Sequence, residues 1–481
     1  MTDTQRTDML GCYGNSDMKT PCIDSLAEEG VRFGQAYTCQ PVCGPARSAI
    51  FSGVYPHSNG SWANSMPLAD NVKTMGQRFR DSGYHTAYTG KWHLDGGDYF
   101  GDGRCPDGWD PEYWYDMRCY LEELTPEERL RSRSTRTNRD PGVEEDFTFG
   151  HRCSNRAIDF LGRHHDEDFL LVVSYDEPHD PYLCPKPFSE MYRDYRFPRK
   201  SNIWDTLEDK PDHQRAWAGD RLAADKDALS ITPADFLGCN SFVDYEIGRV
   251  LEAIDRFAPD ALVIYTSDHG AFLESHSLNG KGAAMYDEIT RVPFIVRWPG
   301  VTPGGTVCPH PVSHIDILPT LMEAAHLPVP GMLEGSSILR TLESPKARVN
   351  DAVFMEFGRY GIGHDGFGGF QPIRCVFDGR YKLVVNLLTT DELYDLHTDP
   401  DEMKNLIDSA SHSSIRDRLH DKLLDWMNNT RDPFRGYYWE RRPWRNDARR
   451  ATWNYTGMAR RRVREEDEPR QLDYLTGLEM T

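Results

Sequence analysis

The chain lacks any apolar stretch near the roughly 18 residues that cross a bilayer as a helix, so no membrane span is expected. It is short of positive charge: 55 Lys and Arg stand against 76 Asp and Glu, a net charge of −21. The basic footprint that nucleic-acid binding requires is therefore missing. An anionic substrate stays compatible, because a pocket can be locally basic inside an acidic protein. The eleven cysteines include no CxxC pair, which removes the spacing most typical of a zinc site. Cys12, Cys22, Cys105, Cys119, Cys153, Cys184, Cys239, Cys308 and Cys375 stand alone among ordinary neighbours and read as small buried hydrophobes. No internal repeat is evident and no signal peptide opens the chain.

What is present is a 481-residue chain, 38% hydrophobic and 27% charged, long enough for a large core and a second, smaller unit. Residues 169–175 (FLLVVSY), 261–267 (ALVIYTS) and 293–298 (PFIVRW) are short continuous apolar runs. Runs of this kind suit strands buried on both faces of a sheet. Helical spacing follows Thr232-Pro233 over 232–256, with shorter helices over 74–82 and 314–325, proline taking the first-turn position it tolerates. This alternation predicts an α/β domain over 1–345 with a large, mostly parallel central sheet flanked by helices. Residues 346–435 read as a smaller α+β subdomain, with strands at 352–357 and 381–387, a glycine-rich loop at 361–369 and an amphipathic helix at 413–428. Residues 436–481 form an Arg/Trp-rich, then mixed-charge tail expected to wrap the surface.

The most informative stretch is Cys43-Gly44-Pro45-Ala46-Arg47, followed by Ser52-Gly53. From physics alone it is a loop entering a helix, with a cysteine where the helix dipole lowers a thiol pKa. Elsewhere, Asp268-His269 directly follows the apolar run 261–267, where open α/β sheets gather ligands. Carboxylate oxygens suit a hard divalent cation, and the imidazole leaves room for a transition metal. Alone, Ser267-Asp268-His269-Gly270 would read as a polar turn.

Taken together, these motifs resemble the type I sulfatases of the alkaline-phosphatase-like superfamily. Cys43-x-Pro45-x-Arg47 resembles their signature. The segment Asp3 to Asn15, Gly90-Lys91-Trp92-His93, Pro178-His179-Asp180-Pro181, Ser267-Asp268-His269-Gly270, Gly280-Lys281-Gly282, and Tyr394-Asp395-Leu396 with Glu402-x-x-Asn405-Leu406 resemble further elements in the family's order, from about residue 2 to 407. The resemblance implies an alkaline-phosphatase-like sandwich with a short antiparallel C-terminal sheet. It also implies that Cys43 is oxidised to formylglycine by a formylglycine-generating or anaerobic sulfatase-maturating enzyme. A divalent metal, Ca²⁺ first and Mg²⁺ or Mn²⁺ next, would be held by Asp3, the residue at 43, Asp268 and His269. Arg47 would hold the formylglycine, Lys91 and Lys281 the sulfate oxygens, His93 would be the base and His179 the acid.

Two departures accompany the resemblance. Thr4 stands where many sulfatases carry a second aspartate, so a hydroxyl or water replaces one carboxylate. No strand precedes Asp3, so the first strand reads as missing, Asp3 as unsupported, and any export signal as lost with it. Location therefore stays open between cytoplasmic and exported.

The expected function is hydrolysis of sulfate esters or sulfamates on a sulfated small molecule or glycan. Phosphonate monoester hydrolases and phosphodiesterases of the same superfamily form the alternative: the former share the Cys-x-Pro-x-Arg element, tend to lack the second N-terminal aspartate and use Asp-His in the later turn. An inactive sulfated-glycan-binding homologue is the reading from another class. Arg374, Lys382, His364 and Asp365 are candidates for reaching over the pocket. Trp109, Tyr113 and Trp114 are candidates for stacking on a sugar, against the commoner fate of core packing. His57, His151, His164, His165, His310 and His326 read as bystanders, with His276 and His314 between the two groups.

Overall fold

The structure is a computed structural model that describes residues 1–96, 99–226, 233–361, 369–448 and 475–478. His364 and Asp365, most of the glycine-rich loop and the tail from 449 to 474 lie outside the described residues. The strands are β1 (Val31–Tyr37), β2 (His85–Gly90), β3 (Phe169–Ser174), β4 (Val263–Thr266), β5 (Phe294–Arg297), β6 (Thr306–Ser313), β7 (Val353–Phe357), β8 (Ile373–Phe377), β9 (Tyr381–Asn386) and β10 (Glu392–Asp395).

The central layer runs β4-β5-β1-β6 on one side and β2-β3 on the other. Pairs β1·β6 and β2·β3 are parallel, and β5 is antiparallel to both its neighbours. The sheet is therefore mixed, within the expected α/β architecture. β6 carries Pro309 and Pro311 and, among the described residues, pairs only with β1, the edge position where a missing N–H does no harm. The second sheet, β10-β9-β8-β7, is wholly antiparallel. The helix Ser413–Asn429 lays Leu419, Leu423 and Met427 into the same apolar cluster as Val376, Leu383 and Val385.

Met1 and Thr2 join the two halves of the central layer. The Met1 amine donates to Val173 O (2.7 Å) and Tyr175 N donates to Met1 O (2.9 Å). On the other side Thr2 N donates to Thr266 O (3.0 Å) and Asp268 N to Thr2 O (3.1 Å). The expectation that Asp3 is unsupported is thus corrected: two residues suffice to hold it between β3 and β4. A groove of about 700 Å³ beyond Met1 is lined by Leu171, Val173, Ile264, Tyr265, Val250 and Ile254 among others. It explains why Phe169–Val173, expected to be buried on both faces, are only half-buried.

Apolar periodicity accounts for the core. Phe33 and Phe294 meet edge-to-face at 5.1 Å and 85°, while Phe51, Tyr88, Trp92, Trp109 and Trp114 interlock around β2. Trp109, Tyr113 and Trp114 are at most 7% exposed, which removes them as a sugar-stacking surface. Their indoles and phenol ring are consumed by packing. Among the described residues no helix is long and apolar enough to cross a membrane.

Candidate active site

The C-terminal ends of the central strands converge, as the crevice rule for α/β sheets anticipates. Asp3 follows the bridging residues, Lys91 follows β2, Asp176 follows β3 and Asp268 follows β4. Cys43 opens the helix Cys43–Ser52 that comes after β1, with Val42 as its N-cap. Arg47 lies one turn further on the same helix face. Gly90 permits this convergence: its φ is 121°, and a Cβ there would sit 1.9 Å from Ser174 O. Only glycine lets β2 end that close to β3 before Lys91.

Around the Cys43 sulfur stand Lys281 Nζ at 2.8 Å, His269 Nε2 at 3.2 Å and Asp3 Oδ1 at 3.8 Å. Arg47 lies beneath them, fully buried. Its Nε donates to Asp268 Oδ2 (3.0 Å), its Nη1 to Lys91 O (2.7 Å) and Ser174 Oγ (2.8 Å), and its Nη2 reaches Asp3 Oδ2 at 3.4 Å. Lys91 Nζ sits between Asp3 Oδ2 (2.7 Å) and Asp176 Oδ1 (2.9 Å), with the Tyr99 ring 3.9 Å away. Three carboxylates, Asp3, Asp176 and Asp268, are thus interleaved with Arg47, Lys91 and Lys281. Interleaving is what permits so many charges to be buried together.

The electrostatics follow from this lattice. Burial and the Asp3 carboxylate press the Cys43 thiol upward, but Lys281, Lys91 and His269 outweigh them and hold it well below its ordinary value. The helix terminus that the sequence suggested as the cause is present, yet Lys281 is the nearest positive group. Asp3 is likewise kept low against burial by Lys91 and Lys281. Asp268 is pushed up to about 6 by burial and by its neighbour Asp3. His93, at a left-handed φ of 59°, faces the Cys43 thiol with its buried Nδ1 unpartnered, and burial lowers its pKa. His179 differs: burial and Lys91 push it down, while Asp3 and the Asp180 carboxylate at 3.0 Å carry it above its ordinary value.

Asp3, Cys43, Asp268 and His269 bring ligand atoms within 4.8 Å of one another, all buried. Two carboxylates forced together out of water, one of them destabilised by the other, form a donor set that a hard divalent cation satisfies. Thr4 does not take the place of a second aspartate. At φ 65° its hydroxyl donates to Asp3 Oδ1 and its N–H to Asp268 Oδ1 (3.2 Å), so it orients the two carboxylates.

The structure thus brings together Asp3, Cys43, Arg47, Lys91, His93, His179, Asp268, His269 and Lys281. It does not bring in Arg374 or Lys382. Arg374 is 1% exposed and bonded to Asp432 at 2.5 Å, and Lys382 is enclosed by Asp287 (2.6 Å) and Glu402 (2.9 Å). Both serve the C-terminal unit's packing rather than the pocket. His276 is buried against Asp205 (2.7 Å) and the Tyr286 ring (3.8 Å), and His314 against Thr266 Oγ1 (3.1 Å). Sequence reasoning missed Asp176, which lies beyond β3 as Asp268 lies beyond β4 and was open to the same rule. It also missed Tyr99, whose hydroxyl donates to Asp176 Oδ1 (2.6 Å) and lies 3.0 Å from His179 Nδ1. Asn64, whose Oδ1 receives Gly44 N–H (2.8 Å) at the start of the Cys43 helix, was missed as well. No local motif marks these last two.

Comparison with known proteins agrees with the geometry. The family model described as "Sulfatase" matches residues 1–327, and one described as "N-sulphoglucosamine sulphohydrolase, C-terminal" matches 276–429. The chain is 48% identical over 488 residues to "Uncharacterized sulfatase YidJ" of Escherichia coli (strain K12), covering 99% of this chain and 95% of that one. Its fold superposes on the structure of BT4656 in complex with its substrate D-glucosamine-2-N,6-O-disulfate with a TM-score of 0.75 at 21% identity, covering 90% and 97% of the two chains. It superposes on the phosphonate monoester hydrolase of Agrobacterium radiobacter with a TM-score of 0.70 at 25% identity, covering 89% and 94%. A cysteine set among buried carboxylates, cations and imidazoles at the strand ends, on this fold and with these relatives, places the chain in the sulfatase family, the type I sulfuric ester hydrolases of the alkaline-phosphatase-like superfamily.

Proposed function

We propose that the chain hydrolyses sulfate esters or sulfamates of carbohydrates with a formylglycine made from Cys43. The observation that carries this is the ring of Lys281, His269 and Asp3 around the Cys43 sulfur at 2.8, 3.2 and 3.8 Å. The sulfur marks where the oxygens of the aldehyde hydrate would lie. One hydroxyl passes its proton to a neighbouring site carboxylate and forms a bond to sulfur while the sulfur–alcohol bond breaks, and His179, carried toward its protonated form, supplies the alcohol's proton. His93, kept neutral by burial, then takes the proton of the second hydroxyl. The carbon–oxygen bond to sulfate breaks, the aldehyde returns, and a water molecule rehydrates it for the next turnover. Lys91 and Lys281 offer fixed positive charge to the sulfate oxygens where charge gathers. Asp3, Asp268 and His269, with residue 43, would hold a divalent cation, Ca²⁺ by the hardness of its carboxylates, which when bound supplies Lewis acidity and a further counter-charge.

The mouth of the site, about 360 Å³, is lined by His179, Asp180, Tyr182, Trp217, Lys281 and Tyr360 among others. That volume and its aromatic-plus-polar lining suit a single sugar unit. The solved relative bound to a disulfated glucosamine supports a sulfated sugar as substrate. Mass analysis of the tryptic peptide Phe33–Arg47 from native-host protein tests the maturation: an aldehyde or its hydrate at position 43 is expected, and an intact thiol in active enzyme would sink the mechanism. Phosphonate monoester hydrolysis is the second reading, favoured by Thr4 in place of a second aspartate and by the likeness to the Agrobacterium enzyme. Parallel rates on an aryl sulfate and a phenyl phosphonate separate the two, a much faster phosphonate reaction overturning the first.

A further inference from the structure

A second cluster lies at the other end of the same strands. β2 begins at His85, about 20 Å of strand from Lys91. Next to it the helix Phe149–His164 ends, and a short turn leads through Glu167 into β3. His85 Nδ1 is 2.9 Å from Glu167 Oε2, and His164 Nδ1 is 2.8 Å from Glu167 Oε1. The three side chains offer ligand atoms within 4.8 Å of one another.

The surroundings are those of an oriented site. The far nitrogen of each imidazole is already engaged: His85 Nε2 with Asp110 Oδ2 at 2.7 Å, His164 Nε2 with the Tyr113 hydroxyl at 3.0 Å. Without an ion, the Nδ1 contacts are hydrogen bonds in which each imidazole donates to a Glu167 oxygen. A cation would displace those two protons, and with each Nε2 proton kept and donated outward, each Nδ1 lone pair would then face the shared space beside Glu167. This is the carboxylate–histidine–metal relation by which outer partners fix tautomer and ring angle. The rings are also clamped by packing. Phe160 lies 5.1 Å from both, and the two imidazoles are 4.4 Å apart at 71°. Backbone bonds from His85 N to Asp168 O (2.8 Å) and Glu167 N to His164 O (3.1 Å) hold the segments in register. The side chains are 19%, 21% and 51% exposed, so the site opens to solvent on one side, where water can complete a shell.

We propose that His85, His164 and Glu167 form a second metal site, for a Zn²⁺-class ion, oriented by Asp110 and Tyr113 and distinct from the cluster at Cys43. Two imidazoles and one carboxylate with an open position match zinc in ligand type and number. Calcium, which takes six to eight oxygens, does not fit. The ion would tie the end of the helix Phe149–His164 to the start of β2.

The test uses the full chain stripped with a chelator and titrated with Zn²⁺ against a competing zinc-sensitive dye, in wild type, His164→Ala, Glu167→Gln and Tyr113→Phe. His164→Ala and Glu167→Gln should each lose one zinc equivalent relative to wild type. Tyr113→Phe should keep it with affinity lowered about 10-fold or more, as for lost outer partners. Co²⁺ in wild type should give visible absorption bands that His164→Ala lacks. Circular dichroism in chelator confirms that each variant is folded, and two independent ligand variants guard against one that is not. Equal zinc uptake in wild type and both ligand variants overturns the proposal, whatever the sulfatase rate.

Discussion

Lys91 Nζ lies 2.7 Å from Asp3 Oδ2 and 2.9 Å from Asp176 Oδ1, so one buried ammonium joins the chain's third residue to the turn after β3. Burial works against that ammonium, but Asp176 and Asp3 hold its pKa well above the ordinary value. Removing it leaves two carboxylates facing each other out of water. Lys91→Ala should cost about 3–5 kcal/mol of stability, the usual range for stripping one partner from a buried pair, and should reduce kcat at saturating substrate. Thermal unfolding and turnover measured on the same preparation check both. A stable variant with normal turnover would contradict this account of the site.

His93 and His179, in the proposed roles of base and acid, are expected to shape opposite limbs of the pH profile. His93, its pKa lowered by burial, must be neutral to act as a base, so its limb falls on the acid side, below about pH 6.5. His179, raised against burial by Asp3 and Asp180, must be protonated to act as an acid, so activity falls as pH rises above that range. His179→Ala should remove the alkaline limb and lower kcat by about 10²–10⁴ on poor leaving groups, with a smaller loss on a nitrophenyl sulfate. An unchanged alkaline limb would exclude His179 as the acid.

Chelation should abolish turnover and Ca²⁺ or Mg²⁺ should restore it, if Asp3, Asp268 and His269 hold the ion. Asp268→Asn should weaken metal retention while also loosening Arg47, whose Nε it receives at 3.0 Å. Metal content after dialysis, read beside activity, checks this prediction. Undiminished activity in the chelated enzyme would count against a resident cation.

Glu177, next in the chain to Asp176, provides a stability test beside the site. Burial first, then the neighbouring Asp176, push its carboxyl up to about 7, while Gly150 N–H donates to it at 2.9 Å. A raised carboxyl pKa means that the folded state holds its proton longer than the unfolded chain. Its stabilising contribution is full below the unfolded value of about 4.3 and is lost as pH rises toward 7. Glu177→Gln should flatten the stability profile over that window, by a few kcal/mol at most. Urea melts at pH 4.5 and 7.5 supply the comparison, and parallel profiles for the two proteins would reject the assignment.

Lys382 should behave as a structural residue. Enclosed by Asp287 and Glu402, with Glu402 pushed up to about 8 chiefly by burial, it belongs to the packing between the antiparallel sheet and the rest of the chain. Lys382→Met should lower the unfolding temperature and leave KM unchanged. A raised KM in a stable variant would return it to the pocket.

Much of the site was legible because its residues sit in short motifs next to strand ends. Asp268-His269 follows an apolar run, and Lys91 follows a glycine whose backbone must pass Ser174 closely. Local pattern likewise located the helices Ala234–Phe257 and Ser413–Asn429, which are long and amphipathic. It did not reveal β2 or β6, since six residues such as His85–Gly90 carry polar groups where a strand meets loops and other side chains. Asp176 was recoverable by the strand-end rule and was overlooked. Arg374 and Lys382 were misplaced because a cation's sequence neighbours do not show whether a carboxylate will close over it.

The division is physical. Sequence alone determined the chemistry available: a cysteine one helical turn from an arginine, two histidine-bearing turns, a lysine loop and acidic residues beyond apolar strands. Those are properties of short segments, set by covalent spacing and local backbone preference. Tertiary structure decided which charges share a buried space, that Lys91 rather than solvent answers Asp3, that burial lowers the pKa of His93 while Asp3 and Asp180 raise that of His179, and that His85 and His164 converge on Glu167. These depend on desolvation and on distances between segments far apart in the chain, and neither is written in any one of them.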